Sequence, residues 1–132
     1  MKKKIEVAAG IIFNGDQILC VQRPENKFPY ISKKFEFPGG KIEKGETKEK
    51  ALQRELFEEL NILAKIKYLY LTVIHEYPDF ELTMHSFICE VETKELTLNE
   101  HINKKWLTLK EIENLDWAAA DIPIVDKLVS NG

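Results

Sequence analysis

The chain has 132 residues, 44% of them hydrophobic, which suits one compact domain and leaves no room for a second. A net charge of −3, with no basic stripe beyond the opening lysines, excludes a protein that coats nucleic acid. Cys20 and Cys89 lie inside apolar runs and read as small buried hydrophobes, which fits a reducing cytoplasm. The opening apolar run is short and broken by Glu6, unlike a signal peptide, and no stretch is long enough to span a bilayer.

Residues 5–13, rich in β-branched and small apolar side chains, predict a strand, and Asn14 with Gly15 a hairpin turn into a second strand over Gln17–Gln22. Residues 23–34, with two prolines and mixed charge, predict an exposed loop with Arg23 at its root, either a surface charge or a substrate contact. A short strand over residues 35–37 then runs through Pro38 into a glycine turn at Gly39 and Gly40, where backbone approaches an ion or phosphate without a side chain in the way.

Thr47 is the expected N-cap of a long helix, with Glu49 in its first turn suiting the helix dipole. At about 100° per residue, Leu52, Leu56, Leu60 and Phe57 gather on one side and Arg54, Glu55, Glu58 and Glu59 on the other, with Ala51 on the acidic side leaving space for something bulky. Glu55 stands three residues before Glu58 and four before Glu59, so at least two carboxylates point at one spot. Like charges this close repel unless a cation sits between them; Arg54 offsets one, and a hard divalent cation, Mg²⁺ or Mn²⁺, would neutralise the rest. The plain alternative is a solvated acidic face, and the neighbouring glycine pair weighs against it.

Past the helix, strands are expected over Lys65–Glu76 and residues 81–92, with Tyr77, Pro78, Asp79 and Phe80 turning between them. A brief strand at Trp106 and Leu107, a short helix over residues 109–115, and a closing helix after Asp121 complete the pattern. Strands mixed with two substantial helices imply an α/β fold with a mixed sheet between helical layers.

From Gly40 the chain reads glycine, five residues, Glu46, seven residues, then Arg54, Glu55, Leu56, Phe57, Glu58, Glu59, Leu60, Asn61, Ile62. This resembles the Nudix box, the signature of hydrolases that cleave nucleoside diphosphates linked to another group. Asn61 stands where the family usually has glycine; asparagine is the next best tolerated residue in a left-handed position after a helix. Weaker similarity to the MutT branch of that family extends through EFPGGKIE, Pro78-Asp79 and AADIPIVDKL.

The resemblance implies an α/β/α sandwich and a metal site built from Glu55, Glu58, Glu59 and the backbone carbonyl of Gly39. It implies that Arg54 orients a glutamate and Glu46 braces the loop, roles that are equally structural. Glu100 reads either as a glutamate assisting metal or water, or as a loop acid. Base selection would fall to Phe37, Asp79 and Asp121, flanked by Ile5 and Val7; Phe37 reads equally as core and Asp121 equally as a helix cap. An ionised Asp121 only accepts hydrogen bonds, which favours a cytosine amine over an oxidised purine, while a protonated one also donates and would accept oxidised guanine.

The implied activity is metal-dependent hydrolysis of nucleoside triphosphates, modified, oxidised or surplus, to monophosphate and pyrophosphate, by a cytoplasmic monomer or homodimer. Cytosine nucleotides and 8-oxo-dGTP are the candidate substrates. The alternatives are hydrolysis of a nucleotide sugar or similar diphosphate, and a non-catalytic nucleotide-binding domain.

Overall fold

The apolar run from Ala8 to Ile12 forms the middle of strand β1 (Lys3–Asn14) in the computed structural model, which describes residues 2–131. The other strands are β2 (Gln17–Gln22), β3 (Phe35–Glu36), β4 (Gly39–Lys41), β5 (Lys65–Glu76), β6 (Phe80–Glu90) and β7 (Asn103–Leu107). They form one sheet in the order β3-β2-β1-β6-β5, with β4 joined to β1 and β7 to β2. The β1 and β6 strands run parallel and every other pair is antiparallel, so the sheet is mixed as expected.

Successive strand residues face opposite sides, and here both sides are covered. Ala8, Ile12, Leu19, Val21, Phe87 and Cys89 pack against Leu52, Leu56 and Leu60 of helix α1 (Lys48–Leu60). On the other side Ala9, Ile11, Ile18, Cys20 and Met84 pack against Ile112 of α2 (Leu109–Ile112) and Ile124 and Leu128 of α3 (Ile122–Asn131). The result is the expected sandwich, with both cysteines fully buried among apolar neighbours. Among the described residues no helix is long and apolar enough to cross a membrane.

Both ends of α1 follow the sequence signals. Thr47 accepts a hydrogen bond from the Lys50 amide at 3.1 Å, and Asn61 terminates the helix at φ 56° and ψ 37°, its N–H donating to Phe57 at 2.9 Å. Phe57 departs from expectation: it is 53% exposed, because the stripe of Leu52, Leu56 and Leu60 alone fills the contact with the sheet. Ala51 is fully buried with Leu52, Leu56 and Leu60, so the space expected beside it is not there.

The expected glycine turn is instead strand β4, paired with Val7, Ala8 and Ala9 of β1. Glycine is required there by close approach. A Cβ on Gly39 would stand 2.0 Å from the Ala8 carbonyl oxygen, and one on Gly40 would stand 2.3 Å from the Glu55 carboxyl carbon. The second helix is shorter than expected, ending at Ile112, while Phe80 already belongs to β6.

Candidate active site

Packing α1 across β4 brings its acids to one end of a cavity of about 790 Å³. Gly39, Glu55, Glu58, Glu59 and Glu100 line that end. Arg54 stands behind them, outside the cavity lining, and organises the group. It donates to both oxygens of Glu46 at 2.7 and 2.9 Å, to Glu55 at 2.8 Å, to Glu58 at 3.4 Å and to the Lys41 carbonyl at 3.0 Å. Hydrogen bonding from Arg54 holds the Glu46 carboxyl down at about 2, so Glu46 and Arg54 form a charged brace between the β4 loop and the helix. Arg54 thus touches Glu46, Glu55 and Glu58 at once and meets the cavity lining through the two helix carboxylates.

Glu59 differs from its neighbours. Its Oε2 atom is buried and has no hydrogen-bond partner. Burial first, then the negative charges of Glu55, Glu100 and Glu36, push its carboxyl up to about 9. A buried carboxylate oxygen without a donor, next to a second carboxylate, is the environment that a hard cation relieves. The donor set of carboxylates and a β4 carbonyl fits such an ion. Among the described residues no three acidic, histidine or cysteine side chains are gathered at one metal position; Glu55 and the 58%-exposed Glu58 both pair with Arg54.

The opposite end of the cavity is apolar and closes on Asp121. This residue is 4% exposed and lies in the short 3₁₀ turn Ala119–Asp121 before α3. Its Oδ1 accepts from the Phe37 amide at 3.0 Å, so the side chain joins the segment just after β3 to the start of the last helix instead of capping that helix. Burial, reinforced by Glu36, raises its pKa well above the ordinary aspartate range. Phe37 is 2% exposed and stacks on Trp117 with ring centroids 4.7 Å apart, so it is a core residue with an edge on the cavity. Ile5 and Val7 also line it. Asp79 does not: it is exposed in the β5–β6 turn, where the Tyr30 hydroxyl donates to it.

Between the two ends stands a polar group that spacing alone does not reveal. Arg23 donates to Glu36 Oε1 at 3.3 Å, and the ring Nε2 of His101 meets Glu36 Oε2 at 3.0 Å. All three line the cavity.

The NUDIX domain model matches residues 3–128. This chain belongs to the NUDIX family. As a MutT-like NUDIX hydrolase it is similar to the 8-oxo-dGTP diphosphatase of Escherichia coli (strain K12), 35% identical over 127 residues that cover 96% of this chain and 97% of that one. It is also similar to the CTP pyrophosphohydrolase of the same organism, 32% identical over 128 residues covering 97% and 93%. Among solved structures, the solution structure of the MutT protein, a Nudix hydrolase, from methicillin-resistant Staphylococcus aureus 252 superposes with a TM-score of 0.77 at 38% identity, over the full length of both chains.

Glu36 and His101 are polar residues of the cavity lining that the sequence did not point to. A charged residue between Phe35 and Phe37, both buried, was the available signal for Glu36. Nothing local marks His101, whose partner lies 65 residues away.

Proposed function

We propose that this NUDIX hydrolase cleaves nucleoside triphosphates, deoxy or ribo, to a monophosphate and pyrophosphate, with 8-oxo-dGTP as the preferred substrate over CTP. One observation carries the reading: a single cavity has the buried, unpaired carboxylate of Glu59 at one end and the buried Asp121 at the other. Such a cavity suits a molecule with a charged phosphate tail and a hydrogen-bonding base.

Glu55, Glu58, Glu59 and the Gly39 carbonyl would hold a divalent cation, Mg²⁺ or Mn²⁺, which when bound neutralises phosphate charge and acidifies a water. Arg54 fixes Glu55, and Glu100 faces the same end of the cavity, where a carboxylate serves to align a water or take its proton. Arg23 supplies a cationic contact midway along the substrate.

The base preference follows from Asp121. The sequence suggested an acceptor-only carboxylate suited to cytosine, but burial favours the protonated acid. A neutral carboxyl both donates and accepts, which matches the adjacent acceptor and donor of an oxidised guanine edge. The relative named for 8-oxo-dGTP supports this choice; the one named for CTP makes CTP the proper comparison.

Every residue invoked comes from one chain forming one domain, so a monomer suffices. The buried thiols of Cys20 and Cys89 suit the reducing cytoplasm. The test is catalytic efficiency on 8-oxo-dGTP, dGTP, CTP, dCTP and a nucleotide sugar with Mg²⁺. Highest efficiency on 8-oxo-dGTP is expected; preference for the sugar diphosphate would overturn the proposal.

A further inference from the structure

Glu100 is exposed in an irregular segment between β6 and β7, yet it lines the acid end of the cavity. Its placement needs an explanation, because an unstructured loop would leave a carboxylate free to wander and a reacting group must be held to a fraction of an ångström. The two flanking residues supply one. Before it, the Asn99 backbone N–H donates to the Glu59 carbonyl at 3.1 Å and the Asn99 side-chain amide donates to the Glu58 carbonyl at 2.8 Å. These carbonyls belong to the last turn of α1, whose C-terminal acceptors have no partner within the helix. The Thr97 amide takes the Leu60 carbonyl at 3.0 Å, so the segment acts as the cap of the helix that carries the acids.

After it, His101 is 8% exposed and its ring meets Glu36 on β3, while the Ile102 amide donates to the Gln22 carbonyl on β2 at 3.0 Å. Glu100 is thus suspended between an anchor on the acid helix and an anchor on the sheet wall that carries Arg23.

We infer that Asn99 and His101 are positioning residues that hold Glu100 over the acid cluster, so that turnover depends on them although neither belongs to the reacting group. The inference rests on the hydrolase reading above. Asn99 ties Glu100 to the same helical turn as Glu58 and Glu59, so that the three carboxylates keep one register. His101 ties it to the Glu36 and Arg23 wall, so that the phosphate end and the middle of the substrate are referred to one frame.

The experiment is a double-mutant cycle on 8-oxo-dGTP hydrolysis at saturating Mg²⁺, comparing the native chain, Glu100→Gln, Asn99→Ala and the double variant, alongside His101→Ala and His101→Gln. Melting temperatures establish that each variant is folded, and amide exchange over residues 99–102 reports the anchoring directly. Asn99→Ala and His101→Ala are each expected to lower kcat about tenfold or more, with KM for the Asn99 variant within about twofold of native. Both should speed exchange at the bonded amides of residue 99 and Ile102, which Glu100→Gln should not. In the Glu100→Gln background, Asn99→Ala should cost less than about twofold further, and His101→Gln, whose amide reaches the place of the ring Nε2, should recover most of the loss. Additive losses, unchanged kcat in the alanine variants, or a fully active Glu100→Gln would overturn the inference while leaving the hydrolase assignment intact. A native chain that releases no pyrophosphate would overturn both.

Discussion

Asp121 accepts a hydrogen bond from the backbone of Phe37 across 84 residues of sequence, and this contact joins the cavity wall just after β3 to the start of the last helix. Because burial raises the Asp121 pKa, its contribution has a definite sign with pH. A folded pKa above the unfolded value means stability that is complete below the ordinary aspartate range and declines as pH rises towards the folded pKa. Asp121→Asn lacks this titration, so its melting temperature relative to native should rise between pH 5 and pH 9. It keeps a donor and an acceptor, so efficiency on 8-oxo-dGTP should stay within about threefold, whereas Asp121→Ala should lose about tenfold, one hydrogen bond's worth. Indifference of efficiency to both changes would place base selection elsewhere.

Glu59 sets function against stability. In the metal-free protein its carboxyl is pushed up to about 9, so stability should decline as pH rises from the usual carboxylate range through about 9. Glu59→Gln removes that penalty, and in EDTA at pH 8 to 9 it should melt higher than native. The same variant, like Glu58→Gln, should lose orders of magnitude in turnover and most of the Mg²⁺-induced rise in melting temperature. Equal melting curves for native and Glu59→Gln in EDTA across that pH range would remove the buried-charge argument.

The Glu46–Arg54 pair works in the opposite direction. A carboxyl held at about 2 gives stability that is present above its unfolded pKa and lost as pH falls through the folded value. Glu46→Gln should therefore melt below native at pH 7, and the gap should close between about pH 4.5 and pH 2, as read by thermal denaturation. Because Arg54 would keep Glu55, activity should fall less than in Glu55→Gln.

Asn61 occupies the left-handed region at φ 56°, where a β-branched side chain is strained. Asn61→Gly should be neutral or stabilising by a few tenths of a kcal/mol, and Asn61→Val should destabilise by about 1–2 kcal/mol in denaturant unfolding. A harmless valine would contradict the observed helix end.

Local signals foretold local structure. Thr47, Asn61 and the leucine stripe of α1 each act through neighbours a few residues away, and each stands where spacing puts it. The glycine pair shows the limit: its composition signalled freedom from side chains, but whether that freedom serves a turn or a strand pressed against Ala8 and Glu55 depends on partners elsewhere in the sequence. The raised pKa of Asp121 and the Glu36–His101 contact were illegible for the same reason, since both are made by burial between distant elements.

The most direct test of the account is the identity of the product. Native chain with 8-oxo-dGTP and Mg²⁺ should release 8-oxo-dGMP and pyrophosphate in equal amounts, with release abolished by EDTA and reduced by orders of magnitude in Glu59→Gln. Release of inorganic phosphate and a diphosphate, or pyrophosphate release at the native rate from Glu59→Gln, would contradict it.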